Sequence, residues 1–365
     1  MTPKNNNPDL KRVGYDVTGE TPRSASFMLE DDTEKEIFTR EPKLTMGSIR
    51  QVRAEQAWVR ELEWSLVDPD TDEFTRLVAA HSNPAGNFIH VEPGAKIKFP
   101  AQSCFLLKSQ RQEQVLHNII VLEPEAELHL ITGCTAASYE NEGRHIAVTE
   151  IFLREGAKLT YTMVHDWAPE VEVRPRAAVK VESEATYLSN YIALTQVRHI
   201  DTNPIATVDR SGTARFNSII YAKEGSFIDV GGRIHLAGPK ASGEIISRVV
   251  ATKSRVISRG LIEGAERDTK GHMECNGIML DAAADIHAIP ELRATDPQTS
   301  LSHEAAVGRI AGEQLNYLMT RGLSEEEARA LIIRGFLDVK IEGLPGSLQE
   351  IIDRMVEQAT EKEAI

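Results

Sequence analysis

The spacing of hydrophobic residues changes once along the chain, from a helical period to a strand-like one. Between Leu29 and His81, apolar residues recur every three, four or seven positions, which is typical of amphipathic helices. The residues on the first apolar face are Ile49, Val52, Val59, Leu62 and Leu66. An acidic turn at residues 70–73 predicts a second short helix. We expect these helices to form a structural cap, with Trp58 and Trp64 in its core.

From Asn87 onward, polar and apolar residues alternate, and one sequence unit recurs. Each unit has an apolar residue, a charged turn, a small residue and an alternating strand. The small positions are Ala95, Ala126, Ala157 and Ala185, whose numbers differ by 31, 31 and 28 in turn (126−95, 157−126, 185−157). A period of about 30 with strand-like punctuation is the signature of a stacked solenoid. The pattern favours a mainly β solenoid and leaves open a sandwich with long hairpins.

The chain divides where these patterns change. The predicted regions are a flexible N-terminal tail (1–28), a helical region (29–85), the solenoid core (86–300) and a helical C-terminal domain (301–365). In the last region, Gly322 ends one helix, and Ser324 with Glu327 forms a capping box for the next. An amphipathic pattern over residues 348–356 predicts a third helix.

Composition and charge exclude several classes of partner. The 365 residues carry a formal net charge of −14, whereas nucleic-acid binding requires a basic surface. No apolar run approaches the roughly 18–20 residues of a membrane span, and the first residues lack the apolar core of a signal peptide. Three widely spaced cysteines do not make a disulfide framework. We therefore expect a cytoplasmic protein with reduced thiols and with neither nucleic-acid nor membrane partners.

Candidate chemistry concentrates between Gly271 and Arg309. One of the three cysteines, Cys275, lies here in an extended segment, and three of the eleven histidines accompany it. The other candidate ligands are His272, Glu274, His287, His303 and Glu304, the last two at the predicted start of a helix. Thiolate, imidazole and carboxylate bind borderline and soft transition metals, although the spacing matches no zinc-finger template. The stretch indicates either a metal site or a buried cysteine with surface histidines.

This stretch and its continuation resemble a known family. The segments that carry the resemblance are LSHEAAVGRI (301–310), EQLNYLMTRGLSEEEARALIIRGF (313–336) and SRVISRG (254–260). They are similar to the SufB/SufD proteins, the scaffold subunits of the SUF iron–sulfur cluster assembly machine. The resemblance covers roughly residues 91–336. It implies a right-handed parallel β-helix between helical ends.

The resemblance implies a subunit that combines SufB and SufD features. SufB-type chains have the cysteine and the glutamate found here as Cys275 and Glu304, and SufD-type chains have the histidine found here as His303. This chain has all three, so the resemblance makes them the expected ligands of iron and of the nascent cluster. Whether Glu274 or His287 joins them stays open.

The resemblance also implies a route for sulfur. Cys134, in HLITGCTAAS, matches the SufB cysteine that receives sulfur from the cysteine desulfurase system. The segment TMVHDW falls where SufB has a Gln-Asn-Trp run implicated in passing sulfur along the β-helix interior. Trp167 matches that run, whereas His165 and Asp166 replace the glutamine and the asparagine. Cys104 has no counterpart and is expected in the core.

The implied function is that of a scaffold and not of an enzyme. Iron and sulfide are expected to form a transient cluster, [2Fe–2S] or [4Fe–4S], that passes to apo iron–sulfur proteins. A SufC-type ABC ATPase is expected to dock on the C-terminal helices. Because the chain has no G-x-x-x-x-G-K-[ST] motif, ATP hydrolysis belongs to that partner. Some family complexes bind reduced flavin, but no residue here predicts it.

Dedicated SufB and SufD chains pair across the ends of their β-helices, so the resemblance implies a homodimer joined near residues 272–304. Cys275 and Glu304 of one chain are then expected to face His303 of its mate. Two alternatives stay open: a structural SufD-like subunit without a cluster, and a β-helix enzyme acting on polysaccharides. Retention of Cys275 and Glu304 counts against the first, and the reduced-thiol profile counts against the second.

Overall fold

The computed structural model describes residues 8–16, 22–139 and 142–337, together with positions 350 and 353. Its N-terminal elements are α1 (Pro8–Arg12), β1 (Ala25–Glu30), β2 (Thr33–Thr39), β3 (Leu44–Ser48), α2 (Ile49–Glu55), α3 (Ala57–Leu62) and α4 (Glu73–Ala80). The strands that follow are β4 (Asn87–Val91), β5 (Ala101–Leu107), β6 (Gln112–Leu122), β7 (Glu127–Ala136), β8 (Glu142–Leu153), β9 (Lys158–Asp166), β10 (Glu170–Val181), β11 (Thr186–Ala193), β12 (His199–Thr202), β13 (Ile205–Val208), β14 (Thr213–Ala222), β15 (Phe227–Leu236), β16 (Ser242–Ala251), β17 (Arg255–Gly264), β18 (Lys270–Met279), β19 (Asp285–Ala294) and β20 (Ser300–Gly308). Two helices complete the described chain, α5 (Gly312–Thr320) and α6 (Glu325–Leu337).

These strands form a solenoid of two facing sheets. The first sheet has the order β2-β1-β5-β7-β9-β11-β14-β16-β18-β20, and the second has the order β19-β17-β15-β12-β10-β8-β6-β4-β3, with β13 beside β10 and β15. Neighbouring coils pair in parallel, as Thr186 does with Thr213 and Glu127 with Lys158. The partners' numbers differ by 27 in the first pair (213−186) and by 31 in the second (158−127), which matches the sequence repeat and excludes the sandwich. The prediction of a β-solenoid with flanking helices is confirmed.

The solenoid interior is filled by the inward-facing residue of every second strand position. One hydrophobic cluster runs continuously from Ala25 to Cys275 between the sheets. The four repeat alanines are all buried within it. A larger side chain at these corners has no room between coils that are spaced about 4.8 Å apart. The small residue in the repeat is therefore a packing requirement of each turn.

The predicted flexible tail is ordered wherever the structure describes it. Leu10, Val13 and Tyr15 are buried against the outer face of the first sheet, and β1 pairs in parallel with β5. The prediction of a tail over residues 1–28 is therefore wrong for residues 8–16 and 22–28. Apolar residues spaced through a polar segment supply enough buried surface to hold it on the sheet.

The predicted helical region begins later than expected. Residues between Leu29 and Ser48 form strands, and helix starts only at Ile49. The predicted apolar face packs on the second sheet, but it is divided between α2 and α3, and Leu66 lies beyond both helices. Trp58, however, is 38% exposed and lies edge-on to Phe88, so its assignment to the cap core is wrong. Trp64 is half-buried and packs against the ring of His117.

A buried carboxylate fastens this helical cap to the solenoid. Glu150 on β8 is fully buried and accepts hydrogen bonds from the backbone N–H groups of Trp64 (2.6 Å), Leu66 (2.6 Å) and Val67 (3.2 Å). Its other contact is the Nε2 atom of His117, at 2.9 Å. Buried polar groups are stable only when they are hydrogen-bonded, and here one carboxylate satisfies three N–H groups.

At the other end, the solenoid continues to Gly308. Residues from Ser300 form β20, which pairs with β18, so the helix that was predicted to start at His303 is absent and that prediction is wrong. The two helices after Arg309 are confirmed. The predicted capping box is present, with Ser324 N–H donating to Glu327 Oε2 at 2.7 Å. The predicted helix over residues 348–356 lies outside the described residues.

The second C-terminal helix rests on the outside of the solenoid. Ile333 and Leu337 are buried in the same outer cluster as α1, and Arg248 on β16 lies over the ring of Phe336 at 5.7 Å. Helix α5 has no buried residue. None of the described helices combines the length and the apolar composition that a bilayer span requires.

Candidate functional site

The C-terminal end of the solenoid carries the residues that the sequence singled out. Strand β20 is the last strand of the first sheet, and β19 is the last of the second. Cys275, on β18 just before this end, faces the interior and is 2% exposed. In register it pairs with Ala305 on the terminal strand and with Ser247 on the preceding coil. The thiol is thus one strand away from the end of the stack.

The surroundings of Cys275 favour the thiol form. Burial raises its pKa, the nearby Glu274 carboxylate raises it further, and a hydrogen bond with Ser258 opposes this rise. Ser258 also donates to Ser247 Oγ at 2.9 Å, so the sulfur ends a short buried chain of hydroxyl groups. A thiolate is the form that binds metals. Formation of one here therefore requires a cation at the sulfur or exposure of the terminal coil.

The other two predicted ligands lie on opposite faces of the terminal strand. His303 pairs with Met273 and Glu304 pairs with Glu274. Because Met273 and Cys275 are both buried, strand alternation places His303 on the same inward side as Cys275 and places Glu304 on the outer side. A single chain does not bring the three together. Among the described residues, no group of three or more His, Cys, Asp or Glu side chains could hold a metal ion.

The remaining candidates of this stretch lie outside the interior. The Glu274 carboxylate is held by Arg248 at 3.1 Å and by the amide of Asn276 at 2.6 Å. The Nδ1 atom of His272 lies 2.9 Å from Ser302 Oγ. His287 is exposed on the terminal strand of the second sheet. In this arrangement, none of the three side chains joins Cys275.

A second set of predicted residues meets in the interior near the other end. Cys134 on β7 and His165 on β9 are direct partners in register, and each is 3% exposed. Trp167 Nε1 donates to His165 Nδ1 at 3.1 Å, and the Tyr191 hydroxyl lies 3.0 Å from the same atom. The ring of His145 lies 5.0 Å from that of Trp167. The structure therefore brings together the three residues that sequence linked to sulfur transfer.

This interior cluster is electrically neutral. Burial lowers the pKa of His165 to about 3, with His145 as a second cause, and burial lowers the pKa of His145 to about 3. Burial also raises the pKa of the Cys134 thiol. Because desolvation disfavours every charged form, both imidazoles and the thiol are uncharged near pH 7. No positive charge is therefore available to stabilise an anion on Cys134, and hydrogen-bond donors have to stabilise it instead.

The two predicted neighbours of this cluster have other surroundings. Asp166 forms an ion pair with Arg12 of α1 at 2.6 Å. Burial raises the pKa of the Asp166 carboxyl, and the Arg12 charge opposes this rise. Cys104 is fully buried in the outer cluster beneath α1, and its prediction as a core residue is confirmed. Asp166 therefore lies where the N-terminal helix is anchored.

Sequence reasoning missed a file of polar residues that links the two cysteines. On successive strands of the first sheet, Tyr191 pairs with Ser218, Ser218 with Ser247, and Ser247 with Cys275. Strand alternation turns each of them inward. Since Tyr191 also contacts His165, small polar groups run from the rung of Cys134 to Cys275. The only signal in the sequence was that Ser218 and Ser247 each lie between apolar residues at alternate positions. That they line up with each other is evident only once the strand register is known.

Comparison with known proteins places these features in a family. The model of the SUF system FeS cluster assembly SufBD core domain matches residues 105–336. An iron–sulfur cluster assembly SufBD family protein of Archaeoglobus fulgidus is 43% identical over 350 residues, covering 96% of this chain and 94% of that protein. A protein of the same description from Methanothermobacter thermautotrophicus is 37% identical over 362 residues, covering 98% of this chain and 88% of that one.

A more distant relative is the iron–sulfur cluster assembly protein SufB of Bacillus subtilis. It is 29% identical over 300 residues, covering 80% of this chain and 64% of that protein. The family model spans the solenoid from β5 through helix α6, which includes Cys134, His165, Cys275 and His303. These matches support a role in iron–sulfur cluster assembly. The chain belongs to the SufBD family of the SUF system.

Proposed function

We propose that this chain is the scaffold on which a nascent iron–sulfur cluster is built and from which it passes to apo proteins, together with a SufC-type ABC ATPase. The observation that carries the proposal is the file of inward-facing polar residues between Cys134 and Cys275. It ends at Cys275, one strand before the C-terminal end of the solenoid. A structural subunit without cargo has no need for a thiol at each end of such a file.

Sulfur enters at Cys134 as a persulfide from a cysteine desulfurase or another donor. From β7 to β18 the file crosses five strand spacings, which is about 24 Å. No direct exchange between thiols spans that distance. Sulfur therefore leaves Cys134 as sulfide, when a reductant supplies two electrons that break the S–S bond and protons restore the thiol. Cys275 then binds the sulfide-bearing iron at the far end.

The cluster site is shared between two copies of the chain. We call the C-terminal end of the solenoid, formed by β19 and β20, the open end. A two-fold axis there sets Cys275 and Glu304 of one chain opposite His303 of the other. Cys275 faces inward and Glu304 outward, so the terminal coil has to rearrange before both bind one ion. ATP-driven movement of the docked ATPase supplies that rearrangement. One thiolate with oxygen and nitrogen ligands gives a labile site, as transfer of the cluster requires.

The C-terminal helices are the docking surface for the ATPase. Tyr317, Met319 and Leu331 are 58%, 41% and 46% exposed, and no described element covers them. Tyr317 and Ile332 line a groove between α5 and α6. Exposed apolar groups that line a groove between two helices are typical of a protein-binding surface.

One alternative, a SufD-like structural role without a cluster, is supported by a specific observation. Cys275 is buried, and one chain does not assemble its proposed ligand set.

Reconstitution separates the scaffold function from the structural role. After anaerobic incubation with iron and sulfide, we expect the wild type to hold bound iron and acid-labile sulfide. Cys275→Ala should hold about tenfold less of both, because the one soft ligand is gone. Cys104→Ala is the matched control, since its thiol lies outside the interior and its cluster content should equal that of wild type. Equal loading of Cys275→Ala and wild type supports the structural role.

A further inference from the structure

The rung formed by Cys134 and His165 has a hydrogen-bond arrangement that specifies one protonation state. The two residues are direct partners on adjacent parallel strands and both face the interior. Neighbouring strands lie about 4.8 Å apart, and side chains in register on one face lie one above the other. Of the two in-register neighbours of Cys134, Phe105 and His165, only His165 is polar.

The Nδ1 atom of His165 is an acceptor. Trp167 Nε1 lies 3.1 Å from it, and an indole N–H can only donate. A nitrogen that accepts a hydrogen bond carries no proton, so the single proton of the neutral ring resides on Nε2. The Tyr191 hydroxyl, at 3.0 Å from the same atom, donates as well. Of the two contacts, only that of Trp167 dictates the tautomer, because a hydroxyl can also accept.

The ring stays neutral while it is held in this way. Burial lowers the pKa of His165 to about 3, so near pH 7 the ring has one N–H to offer and no charge. An anion in an apolar interior is costly unless donors compensate for the water it has lost. The Cys134 sulfur lies in the main hydrophobic cluster of the solenoid. The Nε2–H group is a donor on the polar residue that is in register with the sulfur.

We propose that His165 donates a hydrogen bond from Nε2–H to the sulfur anion carried by Cys134, and that Trp167 is the positioning residue that fixes the tautomer. This inference rests on the proposed function in one respect, since it assigns a sulfur cargo to Cys134. His165 makes and breaks no bond and keeps its proton. Its contribution is to stabilise a thiolate or persulfide anion where solvent is absent.

The tautomer is tested in the full chain labelled with ¹⁵N in its histidine rings. Two-bond ¹H–¹⁵N spectra at pH 7 should show His165 with Nε2 protonated and Nδ1 bare. Trp167→Phe should give a mixture of both tautomers, because Tyr191 then donates or accepts. Tyr191→Phe is the matched control and should keep Nε2 protonated, because Trp167 still donates. A proton on Nδ1 in the wild type overturns the proposal.

The contact with sulfur is tested in the same spectra. The Nε2–H proton resonance of His165 should shift in Cys134→Ala and stay unchanged in Cys275→Ala, whose thiol lies several coils away. A resonance that is unaffected by Cys134→Ala overturns the contact. These measurements need neither a sulfur donor nor an ATPase. Their outcome is therefore separate from that of cluster assembly with an enzymatic sulfur donor, which fails in Cys134→Ser if the proposed function holds and survives if it does not.

Loading with inorganic polysulfide tests the role. The Cys134 sulfur bonds to a terminal polysulfide sulfur, the adjacent S–S bond breaks, the shortened polysulfide leaves with the electron pair, and the thiol proton passes to solvent. After alkylation, mass spectrometry counts the persulfide on Cys134. His165→Leu should load about tenfold less, the effect of losing a hydrogen bond to an anion. His165→Gln retains an N–H donor and should load within about twofold of wild type. Wild-type loading of His165→Leu, or a large loss of loading in His165→Gln, overturns the role. If His165→Leu does not fold, the loading of His165→Gln decides.

Discussion

The two ends of the solenoid are finished in opposite ways. At the N-terminal end, β2 and β3 pair antiparallel to the stack, and the segment Glu34–Lys35–Glu36 charges the exposed edge of β2. Helices α2 to α4 cover the adjoining outer face, with Glu150 as their anchor. At the C-terminal end, β19 and β20 remain parallel, and no described element covers their edges. Apolar Val307 is 40% exposed there.

The contrast indicates which end is built for association. Charged residues on an edge strand oppose edge-to-edge pairing, whereas an uncovered edge is open to it. A repeat protein also requires a cap at each end, supplied by its own chain or by a partner. One end is therefore complete within the chain. We propose that a second copy completes the other end, where the proposed cluster ligands also lie.

The largest effect is expected at the N-terminal end of the solenoid, which its own helices and strands close and which we call the closed end. Glu150→Ala removes the acceptor of three backbone N–H groups and of the His117 ring, and should lower the free energy of unfolding by about 3 kcal/mol. Urea denaturation measures the change. Glu142→Ala is the control, since its exposed pair with Arg111 is worth at most about 1 kcal/mol. Equal losses in the two variants contradict an anchoring role for Glu150.

Acid should destabilise the interior near the closed end. Burial lowers the pKa of His145 to about 3, against about 6.5 in the unfolded chain, so the unfolded state binds the extra proton between these pH values. Stability is then lost as the pH falls from 6.5 toward 3. His145→Gln should reduce the slope of unfolding free energy against pH by up to about 1.4 kcal/mol per pH unit. Urea midpoints at several pH values give the slopes of wild type and variant, and equal slopes contradict the prediction.

A smaller effect distinguishes the two edges directly. Val307 on β20 and Ile37 on β2 are each 40% exposed apolar residues on a terminal strand. Val307→Lys should weaken self-association by about tenfold, because a charge enters an apolar contact. Ile37→Lys should leave it unchanged. Sedimentation equilibrium gives both constants, and equal effects of the two variants remove the distinction between the ends.

The repeat was predictable because it is a local property. Each turn requires a small residue such as Ala126 at its corner, and that requirement is written in the sequence at a fixed period. The C-terminal capping box could also be predicted from sequence, because Ser324 and Glu327 satisfy each other's N–H groups within one helical turn. Both features depend on residues that are close in sequence or on a spacing that sequence displays.

What could not be predicted depends on pairing over longer distances. The run His303–Glu304–Ala305–Ala306 has helical composition, but its pairing with β18 makes it a strand. The same register decides that Cys275 and Glu304 face opposite sides. No property of either residue reveals that face. The polar file through Ser218 and Ser247 was hidden for the same reason.

The central claim, that two chains share each cluster site at the open end, is tested by mixing two variants that are each inactive. One carries Cys275→Ala with Glu304→Ala, and the other carries His303→Ala. The mixed dimer contains one complete set of ligands in trans. After anaerobic reconstitution it should hold roughly half the iron and acid-labile sulfide of wild type, while each parent homodimer holds almost none. A mixed dimer no better than its parents, or a chain that remains a monomer in light scattering with the ATPase present, contradicts the account.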